Sequence, residues 1–266
     1  MTDKYAVIGN PVSHSKSPLI HAMFARQTGQ DIAYEAILAP LQGFAETLAQ
    51  LRSTGYCGCN ITVPFKFEAC KLATQLTERG KAAQAVNTLK LEDSWLLGDN
   101  TDGVGLVRDI SRSLLLQGKR VLLLGAGGAA YGVILPLLQA GASLTVVNRT
   151  VEKSQKLQTA FDGKVDICSY PELPGKQFDC VINATSSGLS KEMPDLPVAI
   201  FDAGAMAYDL MYGTETPFMK FSRQHGATIV MDGLGMLVEQ AAESFFLWRG
   251  VRPETTAIIK ALRNPQ

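Results

Sequence analysis

Three short polar runs in this 266-residue chain combine residue types that can act on a small, oxygen-rich molecule. The first is Gly9-Asn-Pro-Val-Ser13-His14-Ser15-Lys16-Ser17-Pro18, a loop of hydroxyls feeding a helix start, where the helix dipole suits a carboxylate. Ser17 is expected as the N-cap of that helix, with Pro18 at its first position. The second run is Asn60-Ile-Thr62-Val-Pro64-Phe65-Lys66. Strand alternation puts Asn60 and Thr62 on one side and Ile61 and Val63 on the other, with Lys66 just past the strand end. A lysine in that place is most often a solvated charge. As an acid–base group it needs a partner carboxylate. The third run, Val86-Asn87-Thr88 with Gly98-Asp99-Asn100-Thr101-Asp102-Gly103, contains one in Asp102. Asp and Asn also dominate turns and helix caps, and Asp102 can cap a helix and still face a ligand. A lysine ammonium held by such a carboxylate can stabilise a carbonyl oxygen as charge grows on it and then supply the proton.

A fourth run supplies a second kind of chemistry. Val121-Leu-Leu-Leu124 is the unbroken apolar stretch of a strand buried on both faces. Gly125-Ala126-Gly127-Gly128-Ala129-Ala130 follows, then an apolar helix and a second buried strand, Leu144–Val147. Gly125 permits a tight turn, Gly127 lets backbone approach a pyrophosphate, and Ala130 takes the small third position of the dinucleotide fingerprint. The second strand ends in Asn148-Arg149-Thr150, with Lys153 a helical turn on. An acid there would bind the ribose 2′-hydroxyl of NAD and repel a 2′-phosphate, whereas a guanidinium can pair with that phosphate. NADP(H) is therefore the expected cofactor.

Other elements must carry these runs. Before Gly103 the pattern predicts strands at Tyr5–Gly9, Ile32–Leu38 and Cys57–Val63. It predicts a helix from Ser17 to Gly29 with Leu19, Ile20, Met23 and Phe24 inward, and a second marked by Leu41, Phe44, Leu48 and Leu51 up to Gly55. Val86–Leu91 and Ser94–Gly98 read as a hairpin around Glu92-Asp93. A helix is expected over Val104–Arg112. Strands are expected at Asp179–Asn183, Ala199–Phe201 and Thr228–Met231, then two helices from Gly233 with Leu237, Ala241 and Phe245 on one face. The fold class is α/β with two domains. Residues 1–103 plus 237–266 are expected to form a substrate-binding, catalytic domain and 104–236 a Rossmann-type NADP-binding domain, with the active site in the cleft.

Composition narrows the partners. Lys+Arg and Asp+Glu both total 25, so no basic field exists to hold nucleic acid. The start runs straight into Tyr5–Ile8, and neither a signal peptide nor a membrane segment is expected. Cys57, Cys59, Cys70, Cys168 and Cys180 lie in apolar segments, as reduced structural thiols of a cytoplasmic protein do, and no metal is expected. His21 reads as structural, and His225, before Gly226, as a helix C-terminal residue.

The four runs, with Ala85-Val-Asn-Thr88, Asn183-Ala-Thr185 and Asp232-Gly-Leu-Gly-Met236, make the chain resemble the shikimate dehydrogenases over essentially its whole length. The resemblance implies NADPH-dependent, reversible reduction of 3-dehydroshikimate to shikimate in aromatic amino acid biosynthesis. It implies Lys66 and Asp102 as the catalytic pair. Ser15, Ser17 and Tyr212 would hold the substrate carboxylate, and Thr62, Asn87, Asp102 and Gln240 its hydroxyls. Gly125, Ala126, Gly127, Gly128, Ala129, Asn148, Arg149, Thr150, Lys153, Leu210 and Gly233 would contact the cofactor. Tyr131 stands where the family often has a basic residue, and Leu210 where methionine is frequent. The expected partner is a small-molecule substrate, with no nucleic acid or membrane, in a monomer or homodimer. Two alternatives stay open: a quinate/shikimate dehydrogenase that also accepts NAD, and a non-catalytic NADP-binding sensor.

Overall fold

The structure is a computed structural model and describes residues 2–92, 94–185, 193 and 195–264. The chain divides into two compact units, one comprising the residues up to Gly105 together with those from Leu237 on, the other Leu106–Met236.

The first unit is built on a six-stranded sheet of order β2-β1-β3-β5-β6-β4, formed by β1 (Asp3–Gly9), β2 (Ile32–Leu38), β3 (Tyr56–Ile61), β4 (Gln75–Leu76), β5 (Thr88–Leu91) and β6 (Leu96–Asp99). β1 pairs in parallel with β2 and β3, because helices α1 (Ser17–Thr28) and α2 (Phe44–Ser53) cross back between them. β3 then pairs antiparallel with β5, and β5 with β6. Asp93, in the expected turn of that hairpin, lies outside the described residues. Ile8, Phe44, Leu48, Ile61, Phe65 and Leu89 form one buried core. A second gathers Ile20 and Phe24 of α1 with Val238, Ala241, Ala242 and Phe245 of the late helix Leu234–Arg249 and Ile258 of Thr256–Arg263.

The second unit carries a six-stranded sheet whose pairings are all parallel, of order β12-β11-β10-β7-β8-β9. Its strands are β7 (Arg120–Leu124), β8 (Ser143–Val147), β9 (Asp166–Cys168), β10 (Phe178–Asn183), β11 (Phe201–Asp209) and β12 (Ile229–Met231). Read from β9 this is the 3-2-1-4-5-6 order of the dinucleotide-binding sheet, with its switch point between β7 and β10. Helices at Gly128–Gln139, Val151–Ala160 and Pro217–Gln224 connect the strands.

Several expected boundaries are corrected. Lys16, not Ser17, is the N-cap of α1, so Pro18 sits at the second helical position. Leu19 and Leu41 are exposed, Leu41 lies before α2, and His21 takes an inward place on α1. β3 ends at Ile61 rather than Val63, because the chain turns through Val63–Phe65 into the next helix. The helix expected over Val104–Arg112 runs from Asp102 to Ile110. The strand expected at Ala199–Phe201 begins only at Phe201 and continues to Asp209, its register with β10 shifting after Phe178. The small residues Ala203-Gly204-Ala205 hid it, since they carry neither alternation nor bulk.

Candidate active site

Lys66 opens α3 (Lys66–Leu72), and its carbonyl accepts a hydrogen bond from Val86 N–H at 2.9 Å, tying this helix start to Asn87. Asp102 opens α5 (Asp102–Ile110). The turn that delivers it is held from below. Buried Asp99 accepts from Thr77 and from Arg79, whose Nε lies 3.1 Å away, and itself accepts from Asn100 N–H at 2.7 Å. Asn100 donates to the Ala85 carbonyl at 2.9 Å. Lys66 Nζ then meets Asp102 Oδ2 at 2.5 Å, with 19% and 9% of the two side chains exposed. A cation at a helix N-terminus opposes the helix dipole, whereas a carboxylate there is favoured. Asp102 therefore suits its place, and its charge compensates for that of Lys66.

Asn87 and Gln240 complete the cluster. Asn87 Nδ2 donates to Asp102 Oδ1 at 2.8 Å and to Gln240 Oε1 at 3.2 Å. Gln240 comes from helix Leu234–Arg249, where it donates to the Leu237 carbonyl. Thus four expected residues, Lys66, Asn87, Asp102 and Gln240, are brought into direct contact although they are up to 174 positions apart in the chain. In the loop before α1, Ser17 N–H donates to Ser15 Oγ at 3.2 Å, and Asn10 donates to the Ala39 carbonyl to hold the loop base. Thr62 is half-buried just past β3, and its methyl occupies the space of a Cβ on Gly9, at 2.3 Å, so a side chain at Gly9 would displace Thr62. Tyr212 lies in the second unit, half-buried, where burial raises its phenol above the ordinary range.

His21 is wholly buried and stacked on Tyr34, with ring centroids 4.1 Å apart and ring planes nearly parallel, and borders Phe24, Phe245 and Trp248. Neither ring nitrogen has a hydrogen-bond partner among the described residues. Burial pushes its pKa down to about 3, which the nearby Asn60 side chain offsets only in part. It is a neutral core residue.

The residues for a dinucleotide lie in the second unit. Gly125 ends β7 with φ of +104°, a conformation that suits only glycine, and a Cβ there would stand 3.1 Å from the Ala184 carbonyl. Gly127 is the N-cap of α6 (Gly128–Gln139), with no side-chain cap and nothing within 4 Å of where its Cβ would be. The first amides of a three-turn helix thus begin at the sheet's switch point, at a glycine N-cap that offers them no side-chain acceptor, the arrangement that suits an anionic pyrophosphate. Past β8, Asn148 donates to the Thr150 carbonyl at 2.9 Å, and Arg149, Thr150 and Lys153 are exposed; no acid stands at positions 148–150 themselves, the first being Glu152 in the following helix. These residues fit NADP(H). Across the switch point, buried Asp209 accepts from Thr216, Asn183 and Met211 N–H, which fixes the turn bearing Leu210. A Cβ on Gly233 would stand 2.2 Å from the Leu210 carbonyl, so Gly233 is also needed for packing.

Reasoning from sequence passed over Thr88, Thr101 and Ser244 as functional residues, and it set Asn60 beside Thr62 without a role. All four are buried and linked to Asn87. The i, i+4 spacing of Gln240 and Ser244 on one helix was the available signal.

A doubly wound dinucleotide-binding sheet, joined in one chain to a unit holding a lysine–carboxylate pair, defines an NADP-dependent oxidoreductase. Three family profiles match in succession: "Shikimate dehydrogenase substrate binding domain" over residues 7–89, "Shikimate / quinate 5-dehydrogenase" over 107–191 and "Shikimate 5'-dehydrogenase C-terminal domain" over 233–263. A shikimate dehydrogenase (NADP(+)) of Nitrosospira multiformis is 58% identical over 99% of this chain and 98% of its own length. The crystal structure of an Ael1 enzyme from Pseudomonas putida superposes with a TM-score of 0.93 at 46% identity, covering 99% of both chains. That of a Thermus thermophilus shikimate 5-dehydrogenase in complex with NADP(H) and shikimate gives 0.89 at 31% identity, covering 98% of this chain and 99% of the other. The chain belongs to the shikimate dehydrogenase family.

Proposed function

We propose that this chain catalyses the reversible reduction of 3-dehydroshikimate to shikimate with NADPH, using the Lys66–Asp102 pair as its acid–base device. The 2.5 Å contact between Lys66 Nζ and Asp102 Oδ2, in a chain so similar to NADP-dependent shikimate dehydrogenases, carries the reading. NADPH, when bound, supplies the hydride. Lys66 donates a hydrogen bond to the ketone oxygen, stabilises the negative charge that grows there and delivers the proton. In the direction of oxidation, neutral Lys66 takes the proton from the hydroxyl. Asp102 orients the ammonium and accepts from a neighbouring substrate hydroxyl. Asn87, Gln240 and Thr62 bind the remaining hydroxyls, and Ser15, Ser17 and Tyr212 bind the carboxylate. In this reading residues 1–103 and 237–266 hold the substrate, and residues 104–236 hold the dinucleotide. The α6 amides and Gly125–Ala129 take the pyrophosphate, Asn148–Lys153 takes the 2′-phosphate, and Leu210 and Gly233 border the nicotinamide.

A cytoplasmic monomer or homodimer, with no nucleic-acid or membrane partner, suits a biosynthetic step run on NADPH. Among the described residues no helix is long and apolar enough to cross a membrane. The test is absorbance at the NADPH band with shikimate against quinate and NADP against NAD. Turnover is expected with shikimate and NADP. Comparable turnover with quinate and NAD would favour the broader dehydrogenase, and none with any combination would overturn the reading.

A further inference from the structure

We propose that Ser244, acting with Thr88 through the side-chain amide of Asn87, is a positioning residue for the Lys66–Asp102 pair. The proposal rests on the acid–base role given to that pair.

Groups that can only donate or only accept fix the direction of the bonds around Asn87. Thr101 N–H donates to Asn87 Oδ1 at 2.8 Å, so the Asn87 amide is fixed with Oδ1 toward Thr101 and Nδ2 toward Asp102. The Asn87 carbonyl accepts from Asn60 Nδ2 at 3.2 Å, and Tyr34 OH donates to Asn60 Oδ1 at 2.7 Å, so the Asn60 amide is fixed as well. Between these two amides lie two hydroxyls. Asn60 Nδ2 donates to Ser244 Oγ at 2.9 Å, Ser244 Oγ lies 2.7 Å from Thr88 Oγ1, and Thr88 Oγ1 donates to Asn87 Oδ1 at 3.0 Å. When Ser244 gives its proton to Thr88, at 2.7 Å, rather than to the Gln240 carbonyl, at 3.0 Å, the chain runs in one direction: Asn60 to Ser244, Ser244 to Thr88, Thr88 to Asn87, and Asn87 to Asp102, with Asn60 Nδ2 also 3.1 Å from Thr88 Oγ1. Each hydroxyl then both accepts and donates.

Ser244, Thr88 and Thr101 are fully buried, so water cannot substitute for a lost link. In a buried chain each bond polarises the next, and the bonds that Asn87 Oδ1 accepts make its Nδ2 a stronger donor to Asp102. The relay thus does two things for Asp102. It holds the carboxylate in one rotamer with Oδ2 toward Lys66, and it directs a polarised donor at Oδ1. Ser244 touches none of Lys66, Asp102 or the proposed substrate atoms, so its effect is indirect.

Removing the Thr88 hydroxyl breaks the relay, and removing that of Ser244 leaves Thr88 only the longer Asn60 donor at 3.1 Å. Ser244→Ala and Thr88→Val are expected to lower kcat about 10-fold, because a small displacement of an acid–base pair is costly, while KM for NADPH stays within twofold. Thr88→Ser keeps the hydroxyl and is expected to retain near-normal kcat. The Ser244→Ala, Thr88→Val double variant should lose little more than the worse single one, since both cut the same link. A folded Ser244→Ala or Thr88→Val protein with normal kcat would overturn the proposal, even with a lower melting temperature. So would a Thr88→Ser protein as impaired as Thr88→Val. If Ser244→Ala does not fold, the comparison of Thr88→Val with Thr88→Ser decides. Lys66→Ala separates the two levels. Normal turnover there removes the pair's acid–base role. Lost turnover there, with Ser244 and Thr88 indifferent, removes only the relay.

Discussion

Replacing His21 by phenylalanine should flatten the acid side of the stability profile of the first unit. In the folded chain His21 is held neutral, with a pKa of about 3 against an ordinary 6.5, by burial among Tyr34, Phe24, Phe245 and Trp248. A base with a lowered folded pKa contributes fully above its unfolded value, and that contribution is lost as pH falls toward the folded one. Below pH 6.5 the unfolded chain gains a proton here that the folded chain refuses, at about 1.4 kcal/mol per pH unit. Between pH 7.5 and pH 5.0 this amounts to about 2 kcal/mol. Phenylalanine keeps a ring in the stack but does not titrate. Its own packing cost is the same at both pH values and cancels when the change with pH is compared with that of the parent. Both tryptophans, Trp95 and Trp248, belong to the first unit, so their fluorescence in urea follows its unfolding. The parent should lose about 2 kcal/mol more than the variant between the two pH values. Equal losses would mean that His21 takes up a proton in the folded chain, and the assignment as a neutral core residue would fail.

Lys66→Ala should lower kcat by about 10²–10⁴-fold with a much smaller change in the affinity for shikimate, as expected for lost acid–base help; steady-state kinetics in both directions would show it, and near-normal turnover would refute the role. Arg149→Ala should raise KM for NADPH by about 10–100-fold, the worth of a charge-assisted hydrogen bond, and leave KM for NADH nearly unchanged; equal losses would argue against a 2′-phosphate contact. Gly233→Ala forces a methyl to 2.2 Å from the Leu210 carbonyl. It should cost about 1–3 kcal/mol of stability in the second unit and weaken NADPH binding, measured by thermal melting with and without the dinucleotide; an unchanged melting temperature would contradict the packing described.

The β7–α6–β8 unit could be read from sequence because its signals are local. An apolar run, glycines at set spacing and a second apolar run suffice, and the missing acid after Val147 points to the cofactor. Lys66 and Asp102 could be paired on chemical grounds, since a catalytic lysine needs a carboxylate, and through the resemblance, but no local signal links residues 36 positions apart. Misplaced boundaries had local causes too. Ser17 has the composition of an N-cap, yet Lys16 takes that position with no side-chain cap bond. Leu19 has the hydrophobicity of a core residue, yet it is 53% exposed while His21 is inside. The relay was out of reach altogether. Ser244 and Thr88 are ordinary polar residues 156 positions apart, and only tertiary packing makes them neighbours.

Gln240 and Ser244 also set an order in time. Every other member of the cluster around Lys66 lies at or before position 102, while these two arrive on a helix near the end of the chain. During synthesis, the early sheet can emerge and begin to fold while Asn87 and Thr88 still lack these partners. With the roles proposed above, the chemistry would begin only once the helix Leu234–Arg249 has left the ribosome and docked on residues made well over a hundred positions earlier. A chain cut short before Leu234 would therefore be born with its lysine and carboxylate but without the helix that braces them.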